Sequence, residues 1–75
     1  MVDVRQKQQK FNELAEKRVN NAISQIRLIG NLSDKRHYQY TEEQAKKIIT
    51  ALTDELSYIK QRYKTALNGK QSFKI

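Results

Sequence analysis

The chain has 75 residues, with 15 Lys and Arg against 8 Asp and Glu, a net charge of +7, one His and no Cys. That length holds one domain at most, with a small core, and the lack of Cys excludes disulfides and thiolate metal sites. The opening MVDVRQKQQKF has no apolar run and is not read as a signal peptide, and no stretch approaches the roughly 18 apolar residues of a membrane span, so a cytoplasmic location is expected.

Pro is absent, and Lys, Glu, Gln, Ala, Leu and Ile dominate. Most of these are good helix formers, and the predicted fold class is all-α. The first helix is expected over about residues 4–29. Its seam of Ala15, Val19, Ala22, Ile26 and Ile29 advances by four, three, four and three residues, which keeps one face apolar. Phe11, Leu14 and Ile23 widen that face, and Leu28 falls outside it. Lys10, Glu13, Lys17, Asn20, Ser24 and Arg27 lie opposite. Residues 1–8 lack apolar anchors and are expected to fray. Gly30 follows the last apolar pair and is read as a left-handed C-terminal stop, with Asn31 able to serve the same purpose.

A bend over residues 30–41 contains LSDKRHYQY, in which Ser33 and Asp34 are ordinary turn residues. Leu32 is expected to cover the end of a bundle. Lys35, Arg36, His37 and Tyr38 set cations beside aromatics, a combination that holds phosphate and stacks on bases. A solvated loop would carry the same residue types. Tyr40 occupies the position before an N-cap, where an apolar residue staples the chain onto the first turn, here toward Ala45.

Thr41-Glu42-Glu43-Gln44 fits a capping box, and the two Glu suit the positive end of the helix dipole. The second helix is predicted over about 42–67. Its seam of Ile49, Leu52, Leu56, Ile59, Tyr63 and Ala66 is extended backward by Ile48 and Ala45. Lys60, Arg62 and Lys64 occupy the last turns, where cations are favoured. Asn68-Gly69 ends the helix, and residues 68–75 form a mobile tail onto which Phe73 and Ile75 could fold back.

Two helices of this length, each about 37 Å long, joined by a short bend are expected to form an antiparallel hairpin. Ala15 and Ala22 permit close approach. One partner helix leaves part of the wide first stripe wet, so self-association into a four-helix bundle, or docking on a larger protein partner, is expected. Arg18 at the stripe edge is expected to meet a carboxylate of the other helix.

Catalytic chemistry finds no support. No carboxylate has a clear place on a seam where burial would raise its pKa, His37 stands alone, and no nucleotide, hydrolase or zinc-protease motif occurs. No enzyme, cofactor or metal site is expected. The positive charge favours acidic partners, and the leading reading is a non-catalytic nucleic-acid-binding protein, acting alone or as an accessory subunit. Lys10, Lys17 and Arg27 on one helix face, with Lys35, Arg36, His37 and Tyr38 of the bend, are the candidate contacts. The alternative is a protein–protein interaction module that uses the apolar helix face. Tyr58, on the polar side of the second helix beside Arg62, is its candidate anchor. A membrane-surface helix ranks last, because the apolar stripe is already needed for packing and the chain has no Trp.

KRVNNAISQIRLIGNLS at 17–33 and YQYTEEQAKKIITAL at 38–52 carry an RVN-x-AI, IRLIGNLS, Y-x-YTEE pattern. In these stretches the chain resembles a group of small uncharacterised bacterial proteins, over roughly residues 11–64. The resemblance implies a bacterial or mobile-element origin and transfers no functional residue.

Overall fold

The computed structural model describes residues 3–68. The chain is all-α: helix α1 spans Val4–Asn31, helix α2 spans Glu42–Leu67, and no strand occurs among the described residues. This is the two-helix order that the periodicity predicts. The chain divides into one unit ending at Gln39 and a second beginning at Tyr40. The tail from Gly69 onward, with Phe73 and Ile75, lies outside the described residues.

In the first unit, Asp3 caps α1 from an extended backbone (φ −65°, ψ 145°), and its carboxylate accepts from the Arg5 N–H. This cap, which the sequence reading did not single out, starts the helix ahead of its apolar face. The C-terminus differs from the sequence expectation. Gly30 and Asn31 are both helical, and no described residue has a positive φ. The helix instead tightens into three-residue hydrogen bonds. Leu32 N–H donates to the Ile29 carbonyl at 3.1 Å and Ser33 N–H to the Gly30 carbonyl at 3.0 Å. Such bonds absorb free carbonyls at a helix end without a left-handed residue.

The second unit opens as predicted. Thr41 Oγ1 accepts from the Gln44 N–H at 3.1 Å, and Gln44 Oε1 accepts from the Thr41 N–H at 2.8 Å. Lys46 pairs with Glu42 at 3.4 Å and Lys47 with Glu43 at 3.9 Å, each Glu one turn ahead of its Lys, the orientation that favours a helix. Tyr40 and Ala45, the two staple residues, are half-buried. Lys64 lies in the last turn, and Asn68 caps the helix by donating its N–H to the Lys64 carbonyl.

Among the described residues none is buried. In α1, Leu14, Ala15 and Ile29 are half-buried, while Val19 and Ile26 stay 54% and 50% exposed. In α2, Ala45 and Leu52 are half-buried, while Leu56 stays 68% exposed. Leu32, expected to cover a bundle end, is also exposed. Helices gain most of their stability from packing an amphipathic face, and these faces remain largely wet.

The helical state of Gly30 has a measurable consequence. A Cβ built there meets nothing within 4 Å. Gly30→Ala is expected to stabilise the protein by about 0.5–1 kcal/mol, since Ala is the better helix former. Circular-dichroism melts at one protein concentration check this. A lowered melting temperature would mean that Gly30 is the left-handed stop after all.

Candidate nucleic-acid interface

All seven candidate nucleic-acid contacts fall in the first unit. Lys10, Lys17 and Arg27 are exposed on α1, and none of them joins an ion pair among the described residues. They stand about 10 and 15 Å apart along the helix, two to three turns in each case. Asn20 and Ser24 lie between them on the same face. Glu13 shares that face, and its Oε1 accepts from Gln9 Nε2 at 3.4 Å instead of pairing with a lysine. The result is a spaced stripe of cations, suited to an extended polyanion and not to one small anion.

The bend is built around a residue that sequence reading left as ordinary turn chemistry. The Asp34 carboxylate accepts the Arg36 backbone N–H at 2.9 Å, closing a side-chain turn of the kind Asp favours. The same carboxylate takes the Arg36 guanidinium in a fork, Nε at 3.1 Å and Nη2 at 3.0 Å. His37 Nδ1 lies 3.2 Å from the second oxygen. An ionised carboxylate only accepts, so Nδ1 carries the proton in this contact. The Asp34 carbonyl then accepts the His37 and Tyr38 N–H groups at 3.1 and 3.0 Å. Asp34 is half-buried, unlike the residues on either side of it. The signal for this role was legible as Asp-x-Arg, an acid two residues before a guanidinium.

The electrostatics follow the geometry. The Arg36 guanidinium, the Arg36 backbone N–H and His37, in that order, hold the Asp34 carboxyl below its ordinary range against a smaller opposing effect of burial. The Asp34 carboxylate in turn raises Arg36 above its ordinary value. Arg36 and His37 are therefore already engaged with an anion, though their side chains remain 85% and 71% exposed. Lys35 is exposed, as is Tyr38, whose ring centroid lies 6.4 Å from that of His37 with the planes tilted by 57°.

Tyr58, the candidate protein anchor, lies in the second unit and is exposed. The Arg62 guanidinium carbon sits 5.8 Å from its ring centroid, within cation–π range. An open groove of about 350 Å³ beside them is lined by Tyr58, Gln61, Arg62, Thr65 and Ala66. Among the described residues, no group of three or more His, Cys, Asp or Glu could hold a metal ion, and no helix is long and apolar enough to cross a membrane. No protein-family model, curated protein or solved structure matches the chain.

A carboxyl whose pKa is lowered on folding contributes stability above its unfolded value. That contribution is lost as the pH falls through the folded value. The Asp34 turn should therefore hold at neutral pH and open only in acid. Carboxyl carbon-13 NMR is expected to place the Asp34 midpoint below about 3.9, the usual value for Asp. A midpoint at or above that value would mean that the fork to Arg36 does not persist in solution.

Proposed function

We propose that this is a small, basic, non-catalytic helical protein that binds nucleic acid through its phosphate backbone, alone or as an accessory subunit. The observation that carries the reading is the stripe of Lys10, Lys17 and Arg27, exposed on one face of α1 and outside every ion pair described. Cations not engaged by their own chain retain the full Coulombic gain on meeting a phosphate, and each phosphate neutralised releases condensed counterions.

The bend adds a second kind of contact. The Asp34 fork uses one edge of the Arg36 guanidinium, and the remaining N–H groups can still donate to a phosphate. Tyr38 offers an exposed ring for stacking on an unpaired base. Backbone contacts from the helix give affinity, and the aromatic contributes a preference for single strands.

Anisotropy of labelled single- and double-stranded oligonucleotides, at two salt concentrations, tests this reading. Wild-type binding should weaken steeply with salt. Replacing Lys10, Lys17, Arg27, Lys35 and Arg36 together by Gln, a fair helix former, should abolish it. Unchanged affinity in the five-fold variant would remove the proposal.

A second reading rests on a different observation. Tyr58 is an exposed aromatic beside the Arg62 guanidinium, and Tyr and Arg are both residue types enriched at protein-interface hot spots. On this reading the chain docks on a larger protein by its apolar helix face together with Tyr58 on the neighbouring side of the second helix. That protein should stay bound through nuclease and high salt, and Tyr58→Ala should weaken the complex. A complex indifferent to Tyr58→Ala would count against the anchor.

A further inference from the structure

We propose that Asp34 is a built-in competitor of nucleic-acid phosphate at Arg36, so that the bend grips a polyanion less tightly than its cations alone would allow. This rests on the nucleic-acid reading above and names what limits that site. A guanidinium presents two edges with paired N–H groups, and either can hold two oxygens of one oxyanion. Asp34 occupies one of them: Arg36 Nε donates to Oδ1 at 3.1 Å and Nη2 to Oδ2 at 3.0 Å. Its carboxylate oxygens thus sit where two phosphate oxygens would sit. An arriving phosphate must displace the carboxylate from that edge, or settle on the remaining edge with a like charge across the guanidinium. Both routes cost affinity.

The competitor is held in place by more than Arg36's side chain. The same carboxylate accepts the Arg36 backbone N–H at 2.9 Å and faces His37 Nδ1 at 3.2 Å, and Asp34 is half-buried while Arg36 is exposed. The Arg36 guanidinium comes first among the groups that hold the Asp34 carboxyl low, and Asp34 raises Arg36 in return, so both are ionised at neutral pH. On α1 the arrangement differs: Lys10, Lys17 and Arg27 join no ion pair among the described residues. The helix stripe then carries most of the affinity for phosphate, and the bend is left to contribute mainly by stacking on Tyr38. The turn itself does not need the charge. Asn closes the same side-chain turn, and the bonds from the His37 and Tyr38 N–H groups go to the backbone carbonyl of residue 34. Asp34→Asn therefore removes the rival anion and keeps the bend.

The test is anisotropy of one labelled single-stranded oligonucleotide with the full chain, at salt between about 50 and 200 mM. Asp34→Asn should tighten binding at least about three-fold at the lower salt. It should also steepen the fall of log affinity with log salt by about 0.7, the value of one further phosphate contact on a single strand. In an Arg36→Gln background the same substitution should lose most of its gain, because the rival has no guanidinium left to occupy. A wild type that binds as tightly as Asp34→Asn, or a gain that survives Arg36→Gln in full, would overturn the proposal and leave the nucleic-acid reading standing. Binding by neither protein would remove both. If the His37 and Tyr38 amide NMR signals show that Asn has reshaped the bend, the wild type decides alone. Saturating oligonucleotide should then shift its Asp34 carboxyl carbon-13 signal, and an unmoved signal would overturn the proposal.

Discussion

Asp34 shapes the chain just after α1 by engaging Arg36, His37 and Tyr38 with both carboxylate oxygens and its carbonyl. The carboxylate takes a backbone N–H, a guanidinium and an imidazole, and the carbonyl takes two further N–H groups. Without this anion, Arg36 and His37 would have no common partner and the Arg36 backbone N–H would turn to water. The bend has neither Pro nor a left-handed residue to stiffen it. Charge-assisted hydrogen bonds to the Asp34 side chain, which are stronger than neutral ones, contribute to its shape.

The same arrangement divides the cations of the first unit into two kinds. Arg36 is partly neutralised at home, as is His37 when protonated, while Lys10, Lys17 and Arg27 are not paired among the described residues. A count of charge along the chain treats them alike. In the bend, two cations face one anion, so the excess there is a single positive charge. The helix stripe, with Glu13 as its one acidic member, holds more of what a polyanion would find.

The sequence was most informative where structure is local. The start of α2 could be read from four letters, because each residue of Thr41 to Gln44 acts on backbone within one turn. Its end near Leu67 followed from the last seam residue and Asn68. Gly30 misled, because glycine at the end of an apolar stripe usually stops a helix, yet nothing obliges it to adopt a positive φ. Three-residue hydrogen bonds closed the helix with ordinary backbone. Asp34 was underrated for a related reason. Turn chemistry assigns Asp a backbone role, whereas its hold on Arg36 and His37 depends on how the bend places those side chains. No pattern of spacing states whether an apolar stripe is dry, and the exposure of Val19, Ile26 and Leu56 is legible only in three dimensions.

The hydrogen bonds and ion pairs described here all join residues at most four positions apart. This locality bears on how fast order arises. Each helix can wind on its own from its capped end, on the sub-microsecond to microsecond scale of helix–coil relaxation, with no long loop to close first. Any slow step in folding then belongs to encounters between apolar faces, and its rate is set by how often those faces meet.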